Sequence, residues 1–416
     1  MDNSAGGLKT LEGTDSNSMT RKSAFHYLTA TDAVTPFTVM VPQVAIDDLK
    51  RRLVSARWPE RETVGDWRQG VPLSRAQALL ERWRDAYDWR AFERRINAFP
   101  QFRTNIDGLG IHFLHVRSRH SDALPILLTH GWPGSVVEFL NIIRPLVDPE
   151  AYGGHSQDAF HVVVPSLPGH GFSDKPTAAG WDRFRTARAW GVLMNRLGYG
   201  QWVAQGGDWG STVTHALAQL RPSGLVAAHV NWPLVVPEHP PENATAEETA
   251  VYDDVLRYAD SRGKYAGYFR EQATRPQTIA YALVDSPVAQ ATWIYEKLHD
   301  WVDHEGDEDA LTPDEMLDDI SLYWFTQTAG SAARFYWENS RGSIPFGLNA
   351  GPIELPMAAT VFPKETIRPP EAWAKALWPN LFYWSVVEKG GHFPAWEQPV
   401  LFVNELRNAF RNVRDI

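Results

Sequence analysis

The run Gln205-Gly206-Gly207-Asp208-Trp209-Gly210-Ser211 constrains this chain more than any other stretch. It follows the apolar residues Trp202-Val203-Ala204 and precedes a segment of helical character, Thr212 to Leu220. The order is strand, tight turn, helix, with an acidic residue at the apex and glycines on both sides. Such a turn crowds the backbone, and residues without a Cβ relieve the crowding. A solvated aspartate in a glycine-rich turn would leave the same local pattern, so the flanking chain has to separate the two readings.

At 416 residues the chain can form two to three domains, or one large domain with insertions. Its 44% hydrophobic content suffices for a sizeable core. The formal net charge of −10 argues against a nucleic-acid partner. There is no cysteine, which excludes disulfides, a thiolate nucleophile and a cysteine-ligated metal. No apolar run reaches the roughly 18 residues of a membrane span. The first 35 residues are polar and lack the apolar core of a signal peptide. A soluble, cytoplasmic protein is therefore expected. Eighteen tryptophans fit ordinary core packing or an aromatic-lined pocket for an apolar substrate.

Residues 1–35 read as a flexible segment. Phe37 to Pro42 is extended, and Ile46, Leu49, Leu53 and Val54 recur at helical spacing. Ser74 is placed to cap a second helix with Leu79, Leu80, Trp83 and Tyr87 on its apolar face, and a third amphipathic piece holds Phe92, Ile96 and Phe99. Residues 36–100 thus form a helical extension. A hairpin follows, Phe102 to Ile106 and Ile111 to Val116 around Asp107-Gly108. Strands at Ile126–Thr129, Phe160–Val164, 202–204 and Leu225–Val230 then alternate with helical segments, which predicts a mostly parallel sheet covered by helices. Residues 233–354 break the alternation and read as helices and loops. Their acidic stretch from Asp303 to Asp319 lacks calcium-loop spacing and is expected to be a solvated surface. Strands resume at Met357–Phe362 and Tyr383–Val387, and a helix runs from about Val400 to Val413. The expected organisation is a core of 101–232 and 355–416, split by a helical lid of 233–354.

The α/β-hydrolase fold carries its nucleophile on a strand-to-helix turn written G-x-S-x-G. Here the pattern is Gly206-Gly207-Asp208-Trp209-Gly210, with aspartate at the serine position. His130-Gly131-Trp132-Pro133-Gly134 directly follows the strand 126–129, where that fold supplies one oxyanion-hole amide; the residue after the nucleophile supplies the other. The expected donors are the backbone amides of Trp132 and Trp209, although Pro and Gly are also common in ordinary strand-to-helix turns. Gly390-Gly391-His392-Phe393 follows the last strand and makes His392 the candidate base among fourteen histidines. The acid should follow an earlier strand. Leu225–Val230 ends in Asn231-Trp232-Pro233 without a carboxylate, whereas Met357–Phe362 leads into Glu365. Glu371 competes, but is placed to begin the next helix.

These motifs, with Arg57-Trp58-Pro59, Pro168-Gly169-His170-Gly171-Phe172-Ser173, Asp285-Ser286-Pro287, Arg334-Phe335-Tyr336 and Phe362-Pro363-Lys364-Glu365, make the chain from about Phe37 onward resemble the microsomal-type epoxide hydrolases, a family that includes the juvenile-hormone epoxide hydrolases. The resemblance implies an α/β-hydrolase core with a helical lid and N-terminal extension, and an epoxide substrate opened with water to a vicinal diol. It implies Asp208 as nucleophile, His392 as base and Glu365 as its partner. In that family two lid tyrosines hold the epoxide oxygen; Tyr268 and Tyr336 stand in the matching segments. Trp132, Trp209 and Phe172 are the expected substrate-lining residues. The hydrophobic N-terminal anchor of the microsomal members has no counterpart here. No cofactor, metal or nucleic acid is expected, and the oligomeric state, a homodimer included, stays open.

A carboxylate suits displacement at a saturated carbon, because the product is an alkyl ester and not an unstable anhydride. A strained epoxide fits, and its basic leaving oxygen requires a proton donor. Two other readings remain. A haloalkane-type dehalogenase also uses an aspartate nucleophile, and Trp209 resembles its halide-binding tryptophan. A non-catalytic ligand receptor on the same scaffold would not require the Asp208, Glu365, His392 set. Ser211, three residues past the apex, is a poor serine nucleophile.

Overall fold

Three of the central strands are buried along their whole length, which is the signature of parallel strands covered on both faces. The computed structural model describes residues 32–259, 267–304, 310–340 and 351–414; most of the expected flexible segment lies outside them. Nine strands form one sheet among the described residues: β1 Thr35–Phe37, β2 Gln101–Ile106, β3 Leu109–Val116, β4 Leu124–Thr129, β5 Phe160–Pro165, β6 Trp202–Gly206, β7 Leu225–Val230, β8 Met357–Val361 and β9 Leu381–Val386. Their order is β1-β2-β3-β5-β4-β6-β7-β8-β9. The β2–β3 hairpin closes tightly at Asp107-Gly108, with Ile106 facing Leu109. Pairs from β5 through β9 are parallel, and those from β1 to β5 are antiparallel.

The chain leaves β4 towards β5 on one side and returns to β6 on the other. Loops on either side of β4 therefore diverge at its carboxyl end, where open α/β sheets bind their ligands. In register, Thr129 of β4 faces Gly206 of β6. The Trp132 loop and the Asp208 turn consequently leave the sheet side by side. Helices Arg183–Arg196 and Asp208–Leu220 pack together beside the central strands, as do Leu140–Val147 and Pro399–Phe410.

Between β7 and β8 lie helices Ala246–Ala259, Gly267–Thr274, Pro276–Asp285, Pro287–Asp300, Pro313–Thr326 and Ala329–Asn339. The N-terminal helices Gln43–Val54, Leu73–Asp85 and Trp89–Ile96 clamp onto them. Trp83 Nε1 donates to Ser321 Oγ at 2.8 Å, Tyr87 Oη donates to Asp318 Oδ1 at 2.8 Å, and Arg95 pairs with Asp318. Arg82 makes a two-pronged pair with Asp314, 2.7 Å on each prong.

Two expectations need correction. Ser74 does not cap the second helix, which starts at Leu73 after Pro72, so the serine lies inside its first turn. A proline with its fixed φ opens the helix just as well. The acidic stretch ending at Asp319 is not a solvated surface throughout. Asp318 and Asp319 are 3% and 0% exposed, because Pro313–Thr326 is buried between the N-terminal helices and the core loops. Burial lifts their pKa values to about 6 and about 8, with Arg95 opposing the rise at Asp318 and the Ser135 hydroxyl opposing it at Asp319.

Candidate active site

The turn after β6 explains its own glycines. A Cβ on Gly206 would collide with the Gly210 carbonyl, and one on Gly210 with the Thr129 carbonyl of the neighbouring strand. Asp208 itself has φ +50°, a left-handed conformation that a residue with a Cβ adopts at a cost of about 1–3 kcal/mol. The helix Asp208–Leu220 starts at this residue, so the carboxylate sits at the positive end of the helix dipole. Its Oδ1 accepts the Trp132 backbone N–H at 2.8 Å. Trp209 follows as the second residue of that helix.

The other oxygen, Oδ2, lies 3.0 Å from His392 Nε2. Behind the ring, His392 Nδ1 lies 2.6 Å from Glu365 Oε1. The loop after β8 brings in Glu365, whose Oε1 also accepts from the Thr366 N–H at 2.7 Å. The loop after β9 brings in His392, anchored through its own N–H to the Trp301 carbonyl at 2.8 Å. Glu371, the competing acid, is the first residue of helix Glu371–Leu377. Burial of the imidazole disfavours its charge, but the Glu365 and Asp208 carboxylates outweigh burial and hold the pKa of His392 well above its ordinary value. The two carboxylates on either side of the ring thus favour its charged form.

Helices between β7 and β8 contribute an aromatic cluster. Tyr268 stacks on Trp132 with centroids 5.3 Å apart, and Tyr336 meets the same indole edge-on at 5.6 Å. Tyr336 also packs on Trp209 at 4.8 Å, and the two tyrosine rings are 5.9 Å apart. Tyr268 comes from the first turn of Gly267–Thr274 and Tyr336 from Ala329–Asn339, so two different helices converge on the Trp132 loop. Trp301 bridges the cluster to His392, 5.2 Å from Tyr268 and 5.0 Å from the imidazole.

Asp208, His392, Glu365, Trp132, Trp209, Tyr268 and Tyr336 are therefore assembled in one place. Phe172 packs elsewhere, against Phe37 and His112 on the antiparallel side of the sheet, at 5.4 and 5.2 Å. Sequence reasoning missed three residues of this neighbourhood. Trp301 gave no signal, being one tryptophan of eighteen. Asn231 was passed over as a strand end lacking a carboxylate. Glu138 was detectable as a lone acid inside the apolar run Val136 to Leu146.

Comparison with known proteins agrees with this geometry. Residues 34–139 match a family described as the epoxide hydrolase N terminus, and residues 125–281 match the alpha/beta hydrolase fold. The chain is 34% identical to Epoxide hydrolase 1 of Sus scrofa over 405 residues, 90% of this chain and 88% of the pig protein. The chain belongs to the epoxide hydrolase family. A Stigmatella aurantiaca (strain DW4/3-1) protein, provisionally named an epoxide hydrolase, is 56% identical over 92% of this chain and 86% of its own. Among solved structures, Aspergillus niger epoxide hydrolase superposes with a TM-score of 0.80 at 34% identity, covering 92% of this chain and 97% of that one. Juvenile hormone epoxide hydrolase of the silkworm Bombyx mori gives 0.78 at 29% identity, covering 92% and 95%. The sheet, with its mostly parallel strands and surrounding helices, is that of the α/β-hydrolase fold. The dehalogenase and receptor readings lose their ground with family membership, and no helix among the described residues is long and apolar enough to cross a membrane.

Proposed function

We propose that this epoxide hydrolase works through a covalent ester on Asp208. The observation that carries the reading is the suspension of the Asp208 carboxylate between the Trp132 amide and His392, with Glu365 behind the imidazole. Asp208 Oδ2 attacks a ring carbon, the carbon–oxygen bond of the epoxide breaks, and the released oxygen takes a proton from Tyr268 or Tyr336. Oδ1, already on the Trp132 amide, remains the carbonyl oxygen of the ester.

Alkylation removes the negative charge of Asp208, one of the two carboxylates that hold the proton on His392. The imidazole becomes more acidic at the moment a base is needed, and its proton passes to the tyrosinate left by ring opening. Neutral His392 then takes a proton from water as the water oxygen adds to the ester carbon. Negative charge on Oδ1 meets the amides of Trp132 and Trp209. Collapse breaks the bond between the ester carbon and the alkyl oxygen, the diol oxygen takes the proton from His392, and the proton left on the Asp208 carboxyl returns to His392, which restores the starting charges.

A single turnover in heavy-oxygen water tests the scheme. The label is expected in the Asp208 carboxylate, with little in the first diol. Label appearing in the first-turnover diol would mean direct attack by water and would end the covalent reading.

A further inference from the structure

Lys297 is a buried cation that the steps above do not use. It lies in the last turn of helix Pro287–Asp300 and is 2% exposed. Lysines are almost never buried so fully unless they are paired. Two carboxylates of the same helix face its ammonium group, Glu296 in direct contact and Asp300 at 3.9 Å. Both acids reach solvent, with side chains 34% and 21% exposed against 3% for the lysine. Water screens them more than it screens the cation.

The ammonium group also stands over aromatic rings. Its Nζ is 4.9 Å from the centre of the Tyr268 ring and 5.7 Å from that of Trp301. A cation is attracted to an aromatic face within roughly 6 Å. On the far side of Trp301 lies the His392 imidazole, 5.0 Å from the indole. Lys297 therefore meets Tyr268 from the dry interior, while its own counter-ions sit towards water.

The position matters because of where charge travels during ring opening. Asp208 starts with the negative charge. As its Oδ2 bonds to the ring carbon, the carbon–oxygen bond breaks and the electron pair stays on oxygen. That oxygen takes the phenolic proton of Tyr268, and the negative charge ends on Tyr268 Oη. A cation held over the ring favours this tyrosinate over the neutral phenol. Contact with Glu296 fixes the ammonium group in advance, so little has to reorganise when the charge arrives. We propose that Lys297 is a positioning residue for ring opening, acting through Tyr268 by stabilising its tyrosinate and so strengthening it as the proton donor. The inference rests on the covalent reading above.

The test isolates each phenol in turn. Alkylation by styrene oxide is followed by rapid-quench mass spectrometry in Tyr336→Phe, which leaves Tyr268 as donor, and in Tyr268→Phe, which leaves Tyr336. Adding Lys297→Met to the first background is expected to slow alkylation at neutral pH roughly tenfold. Adding it to the second should change the rate less than about twofold. The alkaline limb of the alkylation rate, where the donor loses its proton, should move to higher pH when Lys297→Met joins Tyr336→Phe, because the tyrosinate has lost its cation. A loosened helix would slow the reaction without moving that limb. Lys297→Arg keeps a cation over the ring and should hold the rate within about threefold of the parent. Lys297→Gln, neutral and able to donate to Glu296, stands in for Lys297→Met if that variant does not fold. Equal slowing in both backgrounds, or an unmoved alkaline limb, would overturn the role of Lys297 while leaving the ester on Asp208 intact. Absence of any ester in the wild type and in His392→Gln would remove the covalent reading beneath it.

Discussion

His392 Nε2 stands 3.0 Å from Asp208 Oδ2, so the proposed base of the second half-reaction is hydrogen-bonded to the proposed nucleophile of the first. The two groups set each other's charge. Asp208 helps to raise the pKa of His392, and Glu365 raises it more. The direction of the proton's movement through the cycle follows from which of these carboxylates is charged.

The first prediction concerns that coupling. The His392 ring is expected to titrate well above the ordinary value of about 6.5 in the free enzyme, and to lose its proton only as pH rises through the raised value. Asp208→Asn should lower this pKa, because it removes one carboxylate that favours the cation. Glu365→Gln should lower it further, because it removes the largest favourable influence. Nuclear magnetic resonance of the labelled ring reads both shifts. An unmoved titration in Asp208→Asn would contradict the charge coupling on which the alternation of roles depends.

His392→Gln should separate the half-reactions. Alkylation needs only Asp208 and a proton donor, so the variant should still form the ester. Its hydrolysis should slow by about 10²–10⁴-fold, the usual contribution of a general base. Mass spectrometry after mixing with substrate should find the adduct on Asp208. Glu365→Gln should slow hydrolysis less, since in the proposed scheme Glu365 orients and stabilises His392 and forms no bond to substrate.

Much of this site was legible because its chemistry rides on backbone geometry. The glycines of the turn after β6, the Trp132 loop and the loops after β8 and β9 leave traces in local sequence, since each marks a strand end where a turn is forced. The register of Thr129 on Gly206 then does the assembling, and register follows from the buried parallel strands. What local sequence does not carry is burial by distant elements. Asp319 looks like part of an acidic surface until Pro313–Thr326 is seen beneath the N-terminal helices. Lys297 acquires meaning only from the Tyr268 ring beneath its ammonium group. Phe172 sits in a glycine-rich motif that invites a substrate-lining role, yet its ring lies against Phe37 and His112.

Asp319 also predicts a dependence of stability on pH. Its folded pKa of about 8 exceeds that of the unfolded chain, about 3.9. The folded state therefore holds a proton that the unfolded state releases, and this contribution to stability falls as pH rises from about 4 to 8. Asp319→Asn keeps the hydrogen bond from the Ser135 hydroxyl, 2.5 Å in the wild type, but has no proton to lose. The melting temperature of the variant minus that of the wild type should rise across this window and level off above it. A difference constant with pH would mean that Asp319 is not held protonated.

The lid tyrosines give the sharpest test of how the epoxide oxygen is handled. Tyr268 and Tyr336 approach Trp132 from two different helices, one stacked and one edge-on, with their own rings 5.9 Å apart. Two hydroxyls serving one oxygen are partly redundant. Tyr268→Phe or Tyr336→Phe alone should slow alkylation by about tenfold to a few hundredfold, the equivalent of roughly 1.5–3 kcal/mol for one hydrogen bond to developing charge. Either ring can lose its hydroxyl and still fill the same space, so the fold should persist. The double variant should be almost inactive towards epoxides, because the leaving oxygen would have no proton source. Hydrolysis of the ester, carried by His392, should change little in the single variants. Pre-steady-state alkylation followed by tryptophan fluorescence measures these rates, since Trp132 and Trp209 both touch the tyrosines. Wild-type alkylation by the double variant would reduce Tyr268 and Tyr336 to lid packing and leave the ring-opening step without its acid.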